Sequence, residues 1–207
     1  QYLQSIYEEC GVNYTVDGYR AGGWCIQPFS FFKSLFIEFN IKYDFSVLPG
    51  FKMQHDYIYY DFSKVPEDVV YRFEEDICIK NNNGSFIELT ISTIKTNRFL
   101  VMCDKVLRKI LLHIYHGSRC MGDGVGVAFP VRKWPREMVS IELLYLPELP
   151  IYLRKLHKED YLHFISHPKM LSIHNLELFE LFLKIVTTRW HIISDYRRIA
   201  DEMLNCR

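Results

Sequence analysis

The chain lacks a long apolar run. Its longest stretch without a charge is Ala21 to Phe32, 12 residues, whereas a membrane-spanning helix needs roughly 20. It also lacks a net charge, because Lys+Arg and Asp+Glu number 25 each. That balance gives no electrostatic reason to expect nucleic acid or an anionic membrane as a partner. Paired cysteine motifs are missing too. Cys10, Cys25, Cys78, Cys103, Cys120 and Cys206 are scattered, with no C-x-x-C among them. The spacing favours reduced thiols over a disulfide framework or a thiolate zinc site, and points to the cytoplasm. No basic start followed by an apolar stretch occurs, so no secretory signal is visible. The first residue is Gln1, inside a helix-like segment, and the chain is expected to begin within a longer gene product.

What is present is an ordinary globular mixture, 49% hydrophobic and 24% charged over 207 residues. Aromatics reach 15%, with 14 Tyr and 15 Phe. Such rings serve equally in a core or as platforms for sugars and bases.

The pattern along the chain reads as α/β. Gln1 to Cys10 is a short helix ending near Gly11. Asp17 to Tyr19 is a strand and Gln27 to Asn40 a helix, with Phe31, Phe32, Leu35, Phe36 and Phe39 at helical spacing. Ile41 to Val47 is a second strand, closed by Pro49-Gly50. Strand, helix and strand in close succession mark a parallel sheet. Val69 to Lys80 and Ser85 to Lys95 read as a β-hairpin on or beside that sheet, turning at Asn81-Asn82-Asn83-Gly84. Asn-Gly there would supply the positive φ of a tight turn. In its second arm Ile87, Leu89 and Ile91 share one face, and Glu88, Thr90 and Ser92 the other. Further on, Asp104 to Tyr115 is helical and Gly117 to Val131 a glycine-rich loop. Ser140 to Leu146 and Tyr161 to His167 are strands, the latter stopped by Pro168. Asn175 to Arg189 is a helix and Trp190 to Ile193 a strand. Ser194 caps a last helix with Tyr196, Ile199 and Met203 inward.

Four constellations could carry chemistry. Gly122-Asp123-Gly124-Val125-Gly126 has neither the spacing of a dinucleotide fingerprint nor a following Lys-Ser/Thr; a surface loop fits it best. His113 and His116 lie three apart on a helix, and His163 and His167 four apart on a strand. A strand of that length holds its ends about 13 Å apart at roughly 3.3 Å per residue, too far to share one metal well. Tyr19-Arg20-Ala21-Gly22-Gly23-Trp24 describes a strand end and a tight turn. Such a turn can offer a backbone N–H to an oxyanion while Arg20 pairs with a carboxylate; equally, the arginine can simply cap a helix. Asp44 stands near the end of the next strand, where α/β folds place chemistry, or where an aspartate binds backbone.

Taken in order, Arg20-Ala21-Gly22-Gly23-Trp24-Cys25-Ile26-Gln27-Pro28, Asp44-Phe45-Ser46-Val47-Leu48-Pro49-Gly50, Tyr59-Tyr60-Asp61-Phe62, Tyr71-Arg72-Phe73, Phe86 to Thr93 and Ile165-Ser166-His167-Pro168-Lys169-Met170-Leu171 form a series. The series resembles the C-terminal two-thirds of a bacterial polysaccharide deacetylase, a carbohydrate-esterase family. The resemblance runs from about Gly18 to the end. It implies an incomplete (β/α)7-type barrel whose opening strands are missing, with the hairpin of about 69–95 inserted. It implies metal-assisted hydrolysis of an acetyl group on a sugar, with an acetylated saccharide as partner and zinc or a similar divalent ion as cofactor.

By the same resemblance Arg20 holds a catalytic aspartate, and Gly23 or Trp24 offers the oxyanion N–H. His167 protonates the leaving group, Ile165 lines the acetate methyl pocket, and Asp44 tunes His167. The family's Asp-Asp pair and His-x-x-x-His metal motif precede its arginine motif. Here only 19 residues precede Arg20, none of them histidine. Gly22 also stands where many members have proline. No metal ligand is therefore expected in this chain; base and ligands would lie upstream. The alternative is a non-catalytic, deacetylase-like carbohydrate-binding or assembly module, to which the aromatic run Tyr57, Tyr59 and Tyr60 would contribute.

Overall fold

A computed structural model describes residues 2–95, 99, 102, 136–144 and 146–205. The expected helix at 104–115, the glycine-rich loop at 117–131, His113 and His116 lie outside the described residues. The helices are α1 (Tyr2–Glu9), α2 (Ser30–Glu38), α3 (Leu149–Glu159), α4 (Ile173–Arg189) and α5 (Tyr196–Asn205). The strands are β1 (Gly18–Tyr19), β2 (Tyr43–Asp44), β3 (Lys52–His55), β4 (Ile58–Asp61), β5 (Val70–Phe73), β6 (Phe86–Leu89), β7 (Thr93–Lys95) and β8 (Arg136–Met138). Contacts divide the chain into two compact units, Gln1–Thr90 with Asp195–Arg207, and Ile91–Ser194. The fold class is mixed α/β. Among the described residues the strands form one four-stranded and two two-stranded sheets, and none closes into a barrel. No described helix is long and apolar enough to cross a membrane.

In the first unit the four-stranded sheet runs β1-β2-β6-β5. β1, β2 and β6 are parallel, with Gly18 opposite Tyr43 and Tyr43 opposite Ile87, while β5 is antiparallel to β6. β1, α2 and β2 make the expected strand–helix–strand unit. α2 turns a different face inward from the one its periodicity suggested. Phe36 is buried, whereas Phe31 is 75% exposed and Leu35 and Phe39 are exposed as well. The inner stripe starts one turn earlier, at Phe29. Its ring meets Phe36, Phe73 and Phe86 at 5.1, 4.8 and 5.2 Å in edge-to-face contacts.

The expected hairpin is formed by β5 and β6, which pair antiparallel within the four-stranded sheet. β6 is an interior strand, hydrogen-bonded to β2 on one side and β5 on the other. Glu88 and Thr90 on one side are as buried as Ile87 and Leu89 on the other, so both its faces are covered. Gly84 does not take a positive φ; among the described residues the positive-φ glycines are Gly11, Gly23 and Gly50. A Cβ at Gly84 would stand 2.2 Å from the Phe73 carbonyl oxygen, so close backbone approach demands the glycine. β3 and β4 pair as a separate short hairpin that the sequence pattern did not announce. It splits the aromatic run, since Tyr60 is buried while Tyr57 is 93% exposed.

In the second unit β7 and β8 pair antiparallel, and Ser140 bridges Ile165 in parallel. The strands expected at 140–146 and 161–167 reduce to that bridge and its flanking bonds. Val139 N–H donates to Ser92 O at 2.7 Å, Ile165 N–H to Val139 O at 3.0 Å and Ile141 N–H to Ile165 O at 3.3 Å. Around them pack Ile94, Val139, Leu144, Leu149, Tyr152, Leu178, Phe182 and Val186. α3 was hidden by Pro147 and Pro150. A proline in the first helical turn loses no hydrogen bond, so Pro150 starts the helix rather than breaking it. Residues 190–193 form no strand; Trp190 closes α4 instead, its N–H donating to Val186 O at 2.9 Å.

Candidate functional site

Each unit holds one cluster of ionisable groups at the ends of its strands. In the first unit the cluster starts where β1 ends. Arg20 is exposed, Ala21 is buried, and Gly22–Trp24 make one 3-10 turn. Gly23 and Trp24 both have φ near 60°. Glycine accepts that value freely; tryptophan does not, and the turn holds it there. Trp24 N–H donates to Ala21 O at 3.1 Å and Cys25 N–H to Gly22 O at 3.3 Å. The Trp24 ring meets Tyr60 edge-on at 5.8 Å.

The turn is tied to the end of β2. Ala21 N–H donates to Ser46 Oγ at 2.8 Å. Ser46 in turn donates its hydroxyl to Asp44 Oδ2 at 3.0 Å and its N–H to Oδ1 at 2.9 Å. Asp44 stands opposite Glu88 in the parallel pairing of β2 with β6, and neither carboxyl touches solvent. Val47 N–H donates to Glu88 Oε1 at 3.0 Å. Burial pushes Asp44 up to about 6, against which hydrogen bonds from Glu88 and Ser46 work. Glu88 is pushed well above the carboxylate range by burial first and by the neighbouring Asp44 charge second. Burial and the neighbouring carboxyl thus both favour the protonated form of Glu88.

Arg20 lies beside an open cavity of about 270 Å³, with Tyr14, Tyr19, Phe45 and Tyr196 among its walls. One wall is braced by a lock that sequence reading missed. Arg197 of α5 pairs with Asp17 at 2.9 and 3.0 Å, and Tyr196 donates its hydroxyl to the same carboxylate at 2.5 Å. The Arg197 guanidinium also lies over the Tyr14 ring at 4.8 Å. Arg20 itself has no ion pair among the described residues.

In the second unit the cluster centres on His167. Its Nδ1 lies 2.7 Å from Glu142 Oε1, and its backbone N–H donates to that same oxygen at 3.1 Å. The Glu142 side chain is 2% exposed and the His167 side chain 37%. A carboxylate on Nδ1 fixes that nitrogen as the donor and leaves Nε2 for chemistry. Ile165, two residues earlier, is buried in the bridge to Ser140. The acid that holds His167 is therefore Glu142, where the resemblance put Asp44. Both oxygens of Asp44 are taken by Ser46, and its neighbour is Glu88. His163 serves the frame, its N–H donating to Ser92 Oγ at 3.0 Å.

No group of three or more His, Cys, Asp or Glu able to hold a metal occurs among the described residues. The donor set of a divalent metal site is therefore not met by these side chains. Glu88, Glu142 and the Asp17–Arg197 pair were not singled out from sequence. Glu88 carried one signal, a charge inside the apolar stretch Phe86-Ile87-Glu88-Leu89. Glu142 carried none, because 25 residues separate it from its histidine. No family model, no curated protein and no solved structure matches the chain.

Proposed function

We propose that the chain is part of a metal-dependent hydrolase that removes acetyl groups from a sugar or polysaccharide, with the scaffold of an incomplete (β/α)7-type barrel. The observation that carries this reading is the 2.7 Å contact between His167 Nδ1 and the buried Glu142. A half-exposed imidazole over a desolvated carboxylate is equipped for general acid catalysis. Glu142 orients the ring and stabilises the imidazolium, and Nε2–H delivers its proton to the departing amine or alkoxide. Ile165 offers an apolar wall suited to an acetate methyl. In the first unit, the Trp24 N–H is spent on Ala21 O, so Gly23 is the better oxyanion donor. Arg20, exposed and unpaired among the described residues, is free to hold a catalytic carboxylate.

The metal ligands and the base belong, in this reading, to residues ahead of Arg20, and no step is assigned to them here. The free thiols of Cys10, Cys25 and Cys78 fit a reducing, cytoplasmic setting. A second reading is a deacetylase-like carbohydrate-binding module, to which the exposed Tyr57 and Tyr59 rings would contribute. One experiment separates the two. The longest natural protein containing this chain is incubated with N-acetylated oligosaccharides and zinc, cobalt or nickel, and free acetate is measured. Acetate release supports the hydrolase. Intact oligosaccharides that nevertheless bind the protein support the module.

A further inference from the structure

The contact between Glu142 and His167 is held from behind. Residues 171 and 172 connect a 3-10 turn, Pro168–Met170, to α4. The N-terminus of α4 carries a reciprocal cap. Asn175 N–H donates to Ser172 Oγ at 3.2 Å, while Ser172 donates its N–H and hydroxyl to Asn175 Oδ1 at 3.2 and 2.6 Å. Capping of this kind needs only the carbonyl end of the asparagine. A glutamate, glutamine or aspartate would serve the cap as well. The other end of Asn175 is used differently: Nδ2 donates to the backbone carbonyl of Glu142 at 3.3 Å. Ser172 and Asn175 are both buried, so water cannot replace that bond cheaply. The return path is short as well, since Met170 N–H donates to His167 O at 2.8 Å.

We propose that Asn175 is a positioning residue for the Glu142–His167 pair: its amide nitrogen pins the Glu142 backbone, and through it the carboxylate that orients the imidazole. The hydrolase reading gives this clamp its purpose, but the clamp itself is a matter of geometry and stands apart from activity. One asparagine fixes the start of α4 with its oxygen and the acid of the pair with its nitrogen. Helix and imidazole are thereby set in register by a single side chain.

The test separates the two ends of that side chain. N175D keeps an oxygen for the Ser172 cap and removes the donor to Glu142. N175A removes both. Two NMR readouts report on the pair without any substrate: the tautomer of the His167 ring, read from nitrogen-15 shifts, and hydrogen exchange at the His167 amide. In the wild-type protein the ring should be in the Nδ1–H form. In N175D the melting temperature should fall, as one buried hydrogen bond is lost, while the Nδ1–H form loses its dominance and the His167 amide exchanges about tenfold faster or more. N175A should show the same changes together with a still lower melting temperature. A His167 tautomer and amide unchanged in a folded N175D would overturn the clamp. Should neither variant fold, the wild-type protein decides it: a protected Asn175 side-chain amide proton supports the bond to Glu142, and a freely exchanging one refutes it. A protein without deacetylase activity leaves all of these readouts intact.

Discussion

Each unit of this chain buries an acid against a second titratable group, and the two pairs are built for opposite ends. Asp44 and Glu88 face each other across parallel strands at zero exposure, with Ser46 and Val47 as donors. Two acids sealed from water both favour their protonated forms and hold backbone in place. Glu142 is equally buried, but its partner is an imidazole that is 37% exposed. That pair fixes one ring nitrogen and leaves the other for chemistry. Desolvation is common to both; what differs is whether the second group can reach a ligand. Asp44 and Glu88, whose carboxyls burial displaces upward, are sealed from solvent, where no substrate can touch them.

Three substitutions would break or sharpen that contrast. The largest effect is expected for S46A. It orphans the Ala21 N–H and strips Asp44 of a donor, so chemical denaturation should show about 3 kcal/mol lost, each buried unsatisfied group costing about 1–3 kcal/mol. Next comes E88Q, read as stability against pH. Asp44 and Glu88 both hold protons more tightly in the folded chain. Their contribution is thus complete below about pH 4 and is lost as pH rises through about 6 and beyond. Wild type should lose on the order of 2 kcal/mol between about pH 5 and pH 8 through this pair. The amide of E88Q has no proton to lose and its oxygen can still accept from Val47 N–H, so its profile should be no more than half as steep. A profile in E88Q as steep as wild type would refute the part of Glu88 in that loss. The smallest effect is expected for Y57A. The ring is 93% exposed, so stability should stay within about 0.5 kcal/mol. Weakened binding to oligosaccharides in Y57A would instead favour the module reading.

Much of the first unit was legible because its signals are local. A strand, a phenylalanine-rich helix and a second strand follow one another within 30 residues, and the turn at Gly22–Trp24 is written in two adjacent glycines. β6 was misjudged because its pattern alternates as if half-exposed. Both its faces are covered in the fold, and Glu88 is buried all the same. Gly84 was read as a φ glycine for a related reason: the close Phe73 carbonyl belongs to the partner strand. In the second unit the important contacts join residues 92, 139 and 165, and no local periodicity announces such pairing. His167 was marked by its spacing from His163 but, like Ile165, received a role only through resemblance, and Glu142 entered only when the chain's path brought it beneath the imidazole. The helix at Leu149–Glu159 was lost behind two prolines that sit where helices tolerate them.

The most direct measurement compares two variants in one acetate-release assay on the longest natural protein containing this chain, with a divalent metal supplied. H167A should lower turnover by about 10²–10⁴-fold, the range of a lost general acid, while E88Q, equally folded, stays within a few-fold of wild type. Turnover that survives in H167A and collapses in E88Q would reverse the assignment and place the chemistry at the buried acids.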